Sequence, residues 1–211
     1  MSTVVLADSR LKGIEKDPNF PPSFFTFNVK SGSRIKDHKQ FVKRLGREHR
    51  AYNLFIIAVG INDIPDDIAD KTDNCVNKLL TKVTSKYHVL CRTIKKSNSN
   101  AQIVIATIPP KHLLRSIQKY PQKSPIDVQQ VTDKHQSSFA QFLSRVNTYI
   151  NDFNTRETGR HLPLHTNLRN HRGRRRTKFR YDKFTDGLHP STELKRNWFN
   201  TILDLRQDLI G

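Results

Sequence analysis

Two uninterrupted apolar runs, at 54–59 and 103–108, constrain the fold of this chain more than any other feature. Both are rich in isoleucine and valine, and neither alternates with polar residues. Such runs are typical of strands that are buried on both faces of a parallel sheet. Shorter runs predict two further strands at 3–6 and 24–29, and Pro109-Pro110 ends the fourth strand because proline cannot donate to a strand ladder.

Helical periodicity fills the intervals between these strands. Apolar residues recur every three or four positions, which indicates amphipathic helices. The predicted helices lie within 36–50, 68–96, 139–153 and 194–209. Ser191 is a plausible N-cap for the last helix, whereas 111–133 has no clean period and predicts a loop. Strands that alternate with helices predict an α/β fold with a doubly wound parallel sheet, in one domain over residues 1–211.

Residues with catalytic potential follow three of the predicted strands. Ser9 follows the first strand, Gly32 the second and Asn62 the third. The carboxyl ends of parallel strands share one edge of a sheet, where active residues collect in doubly wound folds. A serine there can act as a nucleophile, and a side-chain or backbone amide can stabilise an oxyanion. Each residue alone also fits a plain turn, or a cap of the next helix in the case of Asn62-Asp63.

A carboxylate precedes a histidine by three residues in Asp186-Gly187-Leu188-His189. A serine nucleophile needs a histidine as general base, and the histidine needs a carboxylate that fixes its tautomer. This spacing is short enough for Asp186 to reach the imidazole of His189 in a compact turn. Pro190 restricts His189 to an extended backbone. A surface turn built on Asp-Gly has the same sequence.

Positive charge dominates the chain, which has 37 Lys and Arg against 19 Asp and Glu and a net charge of +18. Such a field attracts polyanions, of which nucleic acid is the commonest inside cells. The densest basic run is a predicted loop at 169–183. Its candidate nucleic-acid contacts are Arg172, Arg174, Arg175, Arg176, Lys178 and Arg180. The run also fits a nuclear localisation signal or a solvated charged surface.

Several other classes of protein are not expected. No apolar run approaches the roughly 20 residues of a membrane helix, and the N-terminal residues do not have the pattern of a signal peptide. Cys75 and Cys91 are too few for a disulfide framework, so an intracellular location, cytoplasmic or nuclear, is predicted. The histidines lack metal-ligand spacing, and neither a metal nor another cofactor is predicted.

Taken together, these motifs resemble those of the SGNH hydrolases, the GDSL-type esterase and lipase superfamily. The matching blocks, in family order, are Ala7-Asp8-Ser9-Arg10, Gly32, Gly60-Ile61-Asn62-Asp63 and Asp186-Gly187-Leu188-His189. The resemblance implies a flavodoxin-like three-layer sandwich and the hydrolysis of short-chain esters, with acetyl as the expected acyl group. It also implies that Ser9 is the nucleophile, His189 the base and Asp186 its orienting acid. The oxyanion hole would consist of Ser9, Gly32 and Asn62.

Two residues depart from the family pattern. Ala7 replaces the usual glycine, and Arg10 replaces the usual leucine. Arg10 would either favour an anionic substrate or face the solvent. The charge leaves a second hypothesis open, in which a nucleic-acid-binding module uses an SGNH scaffold with esterase activity secondary or lost. In this respect the chain is similar to the SGNH domains in the first open reading frame of some LINE-type retrotransposons.

Overall fold

Strands and helices alternate along the chain in the computed structural model. It describes residues 2–20, 23–45, 51–165, 169–170, 177–179 and 181–211, with the backbone alone at 169–170 and 177–179. The strands are β1 (Ser2–Ala7), β2 (Phe25–Val29), β3 (Tyr52–Ala58), β4 (Gln102–Ile105), β5 (Arg169–Asn170) and β6 (Thr177–Phe179). The α-helices are α1 (Ile35–Arg44), α2 (Asp73–Ser97), α3 (Leu113–Lys119), α4 (Asp133–Glu157) and α5 (Thr192–Ile210). Ser191 caps α5 as predicted, because its Oγ accepts a hydrogen bond from Leu194 N at 3.3 Å.

The first four strands form a parallel sheet in the order β2-β1-β3-β4. The chain moves outward from β1 to β2 and then crosses to the other side of β1 to form β3. This reversal creates a switch point between β1 and β3, where ligands bind outside the carboxyl ends of the strands in open α/β sheets. The predicted doubly wound parallel sheet is confirmed.

Side chains of successive strand residues enter two separate cores. In β1, Val4 and Leu6 pack on the face covered by α1, α2 and α4, whereas Val5 and Ala7 pack on the face covered by α5. All four are fully buried. The uninterrupted apolar runs therefore reflect a sheet in the middle layer of three, since neither face can accept polar residues.

The end of β4 differs from the prediction, because the strand stops at Ile105 rather than at residue 108. Two buried asparagines of α4 replace the missing strand partner. Asn154 makes two hydrogen bonds with the backbone of Ile105 (2.8 and 2.9 Å), and Asn147 makes two with that of Ile108 (2.7 and 3.0 Å). These side-chain amides satisfy backbone groups that a buried chain cannot leave unpaired.

The predicted loop at 111–133 was wrong in part, because it contains α3. This helix has only seven residues, too few for an apolar repeat to be visible in the sequence. Among the helices that the structure describes, none has the length and apolar composition needed to cross a bilayer.

Candidate active site

Ser9, His189 and Asp186 come together beyond the carboxyl end of β1. Ser9 Oγ lies 3.0 Å from His189 Nε2, and His189 Nδ1 lies 2.7 Å from Asp186 Oδ2. A carboxylate can only accept, so we assign the imidazole proton to Nδ1, which leaves the Nε2 lone pair to accept the hydroxyl proton of Ser9. Two residues that are 180 positions apart in the sequence are thus in hydrogen-bond contact.

The carboxylate of Asp186 accepts hydrogen bonds on both oxygens. Its Oδ1 accepts from the backbone N–H of Leu188 (3.0 Å) and of His189 (2.7 Å), and its Oδ2 accepts from the hydroxyl of Tyr120 (3.0 Å). Burial would raise the pKa of Asp186, but the hydrogen bonds from His189 and Leu188 outweigh it and lower the pKa to about 2. Asp186 is therefore a carboxylate throughout the pH range in which a neutral imidazole acts as a base.

Tyr120 is a functional candidate that the sequence did not reveal. It follows α3 within the predicted loop at 111–133, 66 positions before Asp186 in the chain. No spacing rule connects a tyrosine to a carboxylate at that separation. The contact depends on how α3 packs against the turn that carries Asp186.

The turn that carries Asp186 and His189 requires a glycine at position 187. Its φ is +79°, and a Cβ there would lie 2.8 Å from the carbonyl oxygen of His112. The backbone N–H of His112 also donates to Gly187 O at 2.8 Å. The start of α3 is thus tied directly to the turn that holds His189 and its acid.

The residues predicted for the oxyanion hole lie in one cleft with His189. This cleft of about 1210 Å³ is lined by Ser9, Gly32 and Asn62, and His189 forms part of its wall. Asn62 Nδ2 donates one hydrogen bond to the carbonyl oxygen of Ser33 at 3.0 Å. The carboxamide carries a second N–H, which is the donor that an oxyanion requires.

Gly60 places Asn62 by allowing a close backbone approach. Its φ is +144°, and a Cβ there would lie 2.2 Å from the hydroxyl oxygen of Tyr87. That hydroxyl donates to Val59 O at 2.5 Å, and Tyr87 is fully buried. A side chain at position 60 would therefore displace the anchor of the loop that follows β3.

Asp63 joins this loop to α1. One carboxylate oxygen accepts from the backbone N–H of Ile35 at 2.9 Å, and the other accepts from Lys86 Nζ at 2.6 Å. The alternative that Asn62-Asp63 caps the next helix is wrong, because Asp63 accepts from the first N–H of α1, which precedes it in the sequence, and Thr72 is the N-cap of α2. The hydrogen bond between Ile35 and Asp63 therefore connects the segments that carry Gly32 and Asn62.

The buried side chain of His38 also holds the segment that carries Gly32. Asn28 Nδ2 donates to His38 Nδ1 (2.9 Å), which assigns the imidazole proton to Nε2, where it donates to Ser33 Oγ (2.9 Å). Burial lowers the pKa of His38 to about 4, although the nearby carboxylates of Asp8 and Asp37 act in the opposite direction. A neutral His38 is therefore part of the scaffold that positions Asn62.

We expect His38→Gln to flatten the dependence of stability on pH. The pKa of His38 is about 4 in the folded chain and 6.5 when unperturbed, so the unfolded state binds more protons between these values. The wild type therefore has its full stability above pH 6.5 and loses about 3 kcal/mol of unfolding free energy as the pH falls toward 4. Urea denaturation of both proteins at several pH values measures this difference. The same dependence of the unfolding free energy on pH in the two proteins would contradict the prediction.

Arg10 does neither of the two things that the sequence predicted. It is 4% exposed and turns away from the solvent. Its guanidinium contacts both oxygens of the buried Asp8 carboxylate, at 3.0 and 3.1 Å, and it donates to Pro109 O at 3.4 Å. The guanidinium forms a bidentate ion pair with Asp8 that fixes the turn after β1, so its charge is not available to a substrate.

The predicted nucleic-acid contacts cannot be placed in the same way. Arg172, Arg174, Arg175, Arg176 and Arg180 lie outside the described residues, and Lys178 is described only by its backbone in β6. Nucleic-acid binding therefore stays a prediction. Among the residues that the structure describes, no group of three or more His, Cys, Asp or Glu side chains could hold a metal ion.

Comparisons with known proteins match this chain to a family and to several solved structures. The profile of the GDSL-like lipase/acylhydrolase family matches residues 5–202. No curated protein sequence matches the chain.

Several solved structures share the fold. A GDSL-like lipase from Bacteroides thetaiotaomicron is 14% identical with a TM-score of 0.60, over 98% of this chain and 88% of the other. Phospholipase A1 from Streptomyces albidoflavus is also 14% identical with a TM-score of 0.60, over 97% and 98% of the two chains. A carbohydrate esterase of family 3 from Talaromyces cellulolyticus is 14% identical with a TM-score of 0.59, over 99% and 98%.

Proposed function

Because this chain belongs to the GDSL-like lipase/acylhydrolase family, we propose that it is a serine esterase that hydrolyses short-chain esters, with acetyl as the expected acyl group. One observation carries the proposal. The hydroxyl of Ser9, the imidazole of His189 and the carboxylate of Asp186 form a continuous chain of hydrogen bonds at 3.0 and 2.7 Å, on the wall of an open cleft. This is the arrangement that activates a serine hydroxyl for acyl transfer.

The first half of the reaction forms an acyl-enzyme. Ser9 Oγ attacks the ester carbonyl carbon while His189 Nε2 accepts the hydroxyl proton. The negative charge of the tetrahedral intermediate moves to the carbonyl oxygen, where the amides of Ser9, Gly32 and Asn62 stabilise it. His189 then donates its proton to the alcohol oxygen as the ester C–O bond breaks.

The second half releases the acid. Water replaces the alcohol, and its oxygen attacks the acyl carbon while His189 Nε2 accepts a proton from the water. His189 then returns that proton to Ser9 Oγ as the bond between Oγ and the acyl carbon breaks, and the carboxylic acid leaves. The carboxylate of Asp186 stabilises the imidazolium that forms in each half. Tyr120 supports this role, since its hydrogen bond to Asp186 Oδ2 holds the oxygen that faces His189.

The preference for short acyl groups needs a direct test, because the fold is shared with a phospholipase A1 and with a carbohydrate esterase. The test combines turnover of p-nitrophenyl acetate, butyrate and octanoate with labelling by diethyl 4-nitrophenyl phosphate, from which Ser9 Oγ displaces 4-nitrophenolate. We expect turnover that falls with acyl length, and one phosphoryl adduct on the peptide that contains Ser9.

Ser31→Ala is the matched control, since Ser31 supplies another hydroxyl to the same cleft. This variant should keep both turnover and the adduct. Background turnover of all three esters together with an unlabelled Ser9 peptide would overturn the proposed function. Equal turnover of the three esters would contradict the short acyl group alone.

A further inference from the structure

Cationic side chains surround the cleft that contains Ser9. Among the residues that line it, seven are cationic and two are acidic. The cationic residues are Lys12, Arg34, Lys82, Lys86, Lys111, Lys123 and Lys195. The whole chain has 37 basic and 19 acidic residues, so the cleft is enriched in positive charge beyond the chain's general basicity.

Both acids of the cleft are already neutralised by lysines. Lys86 Nζ lies 2.6 Å from Asp63, and Lys111 Nζ lies 2.7 Å from Asp66. The side chains of both aspartates are almost completely buried. These two pairs therefore belong to the scaffold, and they leave no carboxylate of the cleft to balance the other cations.

The remaining five cations have no carboxylate partner within the part of the chain that the structure describes. Lys195 Nζ donates to the carbonyl oxygen of Lys12 at 3.3 Å, and Lys123 Nζ lies 4.4 Å from the ring centre of Tyr120. Neither contact removes the positive charge. Like charges on a concave surface repel one another and concentrate a positive potential, which a bound anion relieves.

The cleft is much larger than the acyl group that reacts at Ser9. A volume of about 1210 Å³ exceeds the roughly 300–1,000 Å³ of a typical small-ligand pocket. An acetyl group at Ser9 fills a small part of it, so most of the space is available to the alcohol portion of an ester. The partly exposed apolar residues Leu79 and Leu188 also line it and can contact the carbon skeleton of that portion.

We infer, on the basis of the esterase function proposed above, that the substrate is an ester whose alcohol portion carries a negative charge, such as a phosphate, sulfate or carboxylate. The ester carbonyl lies at Ser9, and the anion lies among the cations of the wall. Arg10 has no part in this recognition, because its guanidinium is buried against Asp8.

Three aryl acetates of similar size test the inference. Phenyl acetate is neutral, 4-carboxyphenyl acetate is anionic and 4-(trimethylammonio)phenyl acetate is cationic at neutral pH. Each kcat/KM is divided by the rate of alkaline hydrolysis of the same ester, which corrects for leaving-group reactivity. We expect the anionic ester to exceed the neutral one about tenfold at low ionic strength, with the cationic ester slowest. Sodium chloride at 0.5 M should reduce the preference, because it screens exposed charges.

A triple variant, Lys12→Gln, Lys82→Gln and Lys123→Gln, should reduce the ratio of the anionic to the neutral ester to about twofold. The matched control removes the same net charge at exposed lysines outside the cleft, as Lys43→Gln, Lys96→Gln and Lys134→Gln. The control should keep the wild-type ratio.

The outcomes separate the two proposals. No turnover of any aryl acetate would overturn the esterase function itself. Turnover with equal corrected rates for the three esters would overturn only the anionic alcohol. A ratio that falls equally in both triple variants would also overturn it, since net charge rather than the cleft would then be responsible.

Discussion

Ser9→Ala is expected to lower kcat for p-nitrophenyl acetate by about 10⁴-fold or more. The variant loses the nucleophile, and the oxyanion donors alone can only assist direct attack by water. Ser9 is partly exposed at the surface of the cleft, so its truncation should change the free energy of unfolding by no more than about 0.5 kcal/mol. Steady-state kinetics and a urea denaturation curve measure the two quantities separately.

The double variant Ser9→Ala and His189→Ala sharpens this test. Residues that act as one unit have non-additive effects, so the double variant should be about as slow as Ser9→Ala alone. If the two substitutions instead multiply, Ser9 and His189 work independently and the 3.0 Å contact between them is not part of the mechanism.

Asn62→Ala is expected to lower kcat by about 10²- to 10³-fold, with KM nearly unchanged. The second N–H of Asn62 Nδ2 would meet a full negative charge only in the transition state, because the ground-state carbonyl is a much weaker acceptor. The variant also loses the hydrogen bond to Ser33 O, so the loop that carries Gly32 becomes less well fixed. The measurement is the separate determination of kcat and KM with p-nitrophenyl acetate.

Ser33→Ala is the matched control for Asn62→Ala. It removes the hydrogen bond to His38 and keeps both the Ser33 carbonyl and the carboxamide of Asn62. We expect about 1 kcal/mol of lost stability and less than about a tenfold loss of kcat. A rise in KM at constant kcat for Asn62→Ala would mean that the side chain binds the substrate rather than the developing charge.

Much of the architecture could be predicted because it depends on local patterns. The run at 54–59 is apolar at every position and the run at 103–108 at every position except Thr107, and strands buried on both sides leave that signature. Once the strands are known, Ser9, Gly32 and Asn62 must fall at the same edge of the sheet. The contact between Ser9 and His189 was predicted from motifs and not from any local pattern.

The remaining features depend on contacts between distant segments. The direction of Arg10 is decided by the complete burial of Asp8 and by a carbonyl at Pro109, which no pattern near residue 10 indicates. The end of β4 depends on the amides of Asn147 and Asn154. Tyr120 has no sequence relation to Asp186 at all. Such contacts follow from packing, so they appear only when the layers are assembled.

The segment around α3 has two functions, and together they limit how far its sequence can diverge. Lys111, Tyr120 and Lys123 line the cleft, and Tyr120 and the backbone N–H of His112 also hold the turn of Asp186. A substitution that moves this segment outward to admit a bulkier alcohol also weakens the hydrogen bonds that hold Asp186, the residue that orients the imidazole of His189. Wider substrate range and fast turnover therefore compete in this segment. Lys12 and Arg34 also line the cleft but make no hydrogen bond to Ser9, His189 or Asp186 within the described structure, so specificity can change there at little cost to the chemistry.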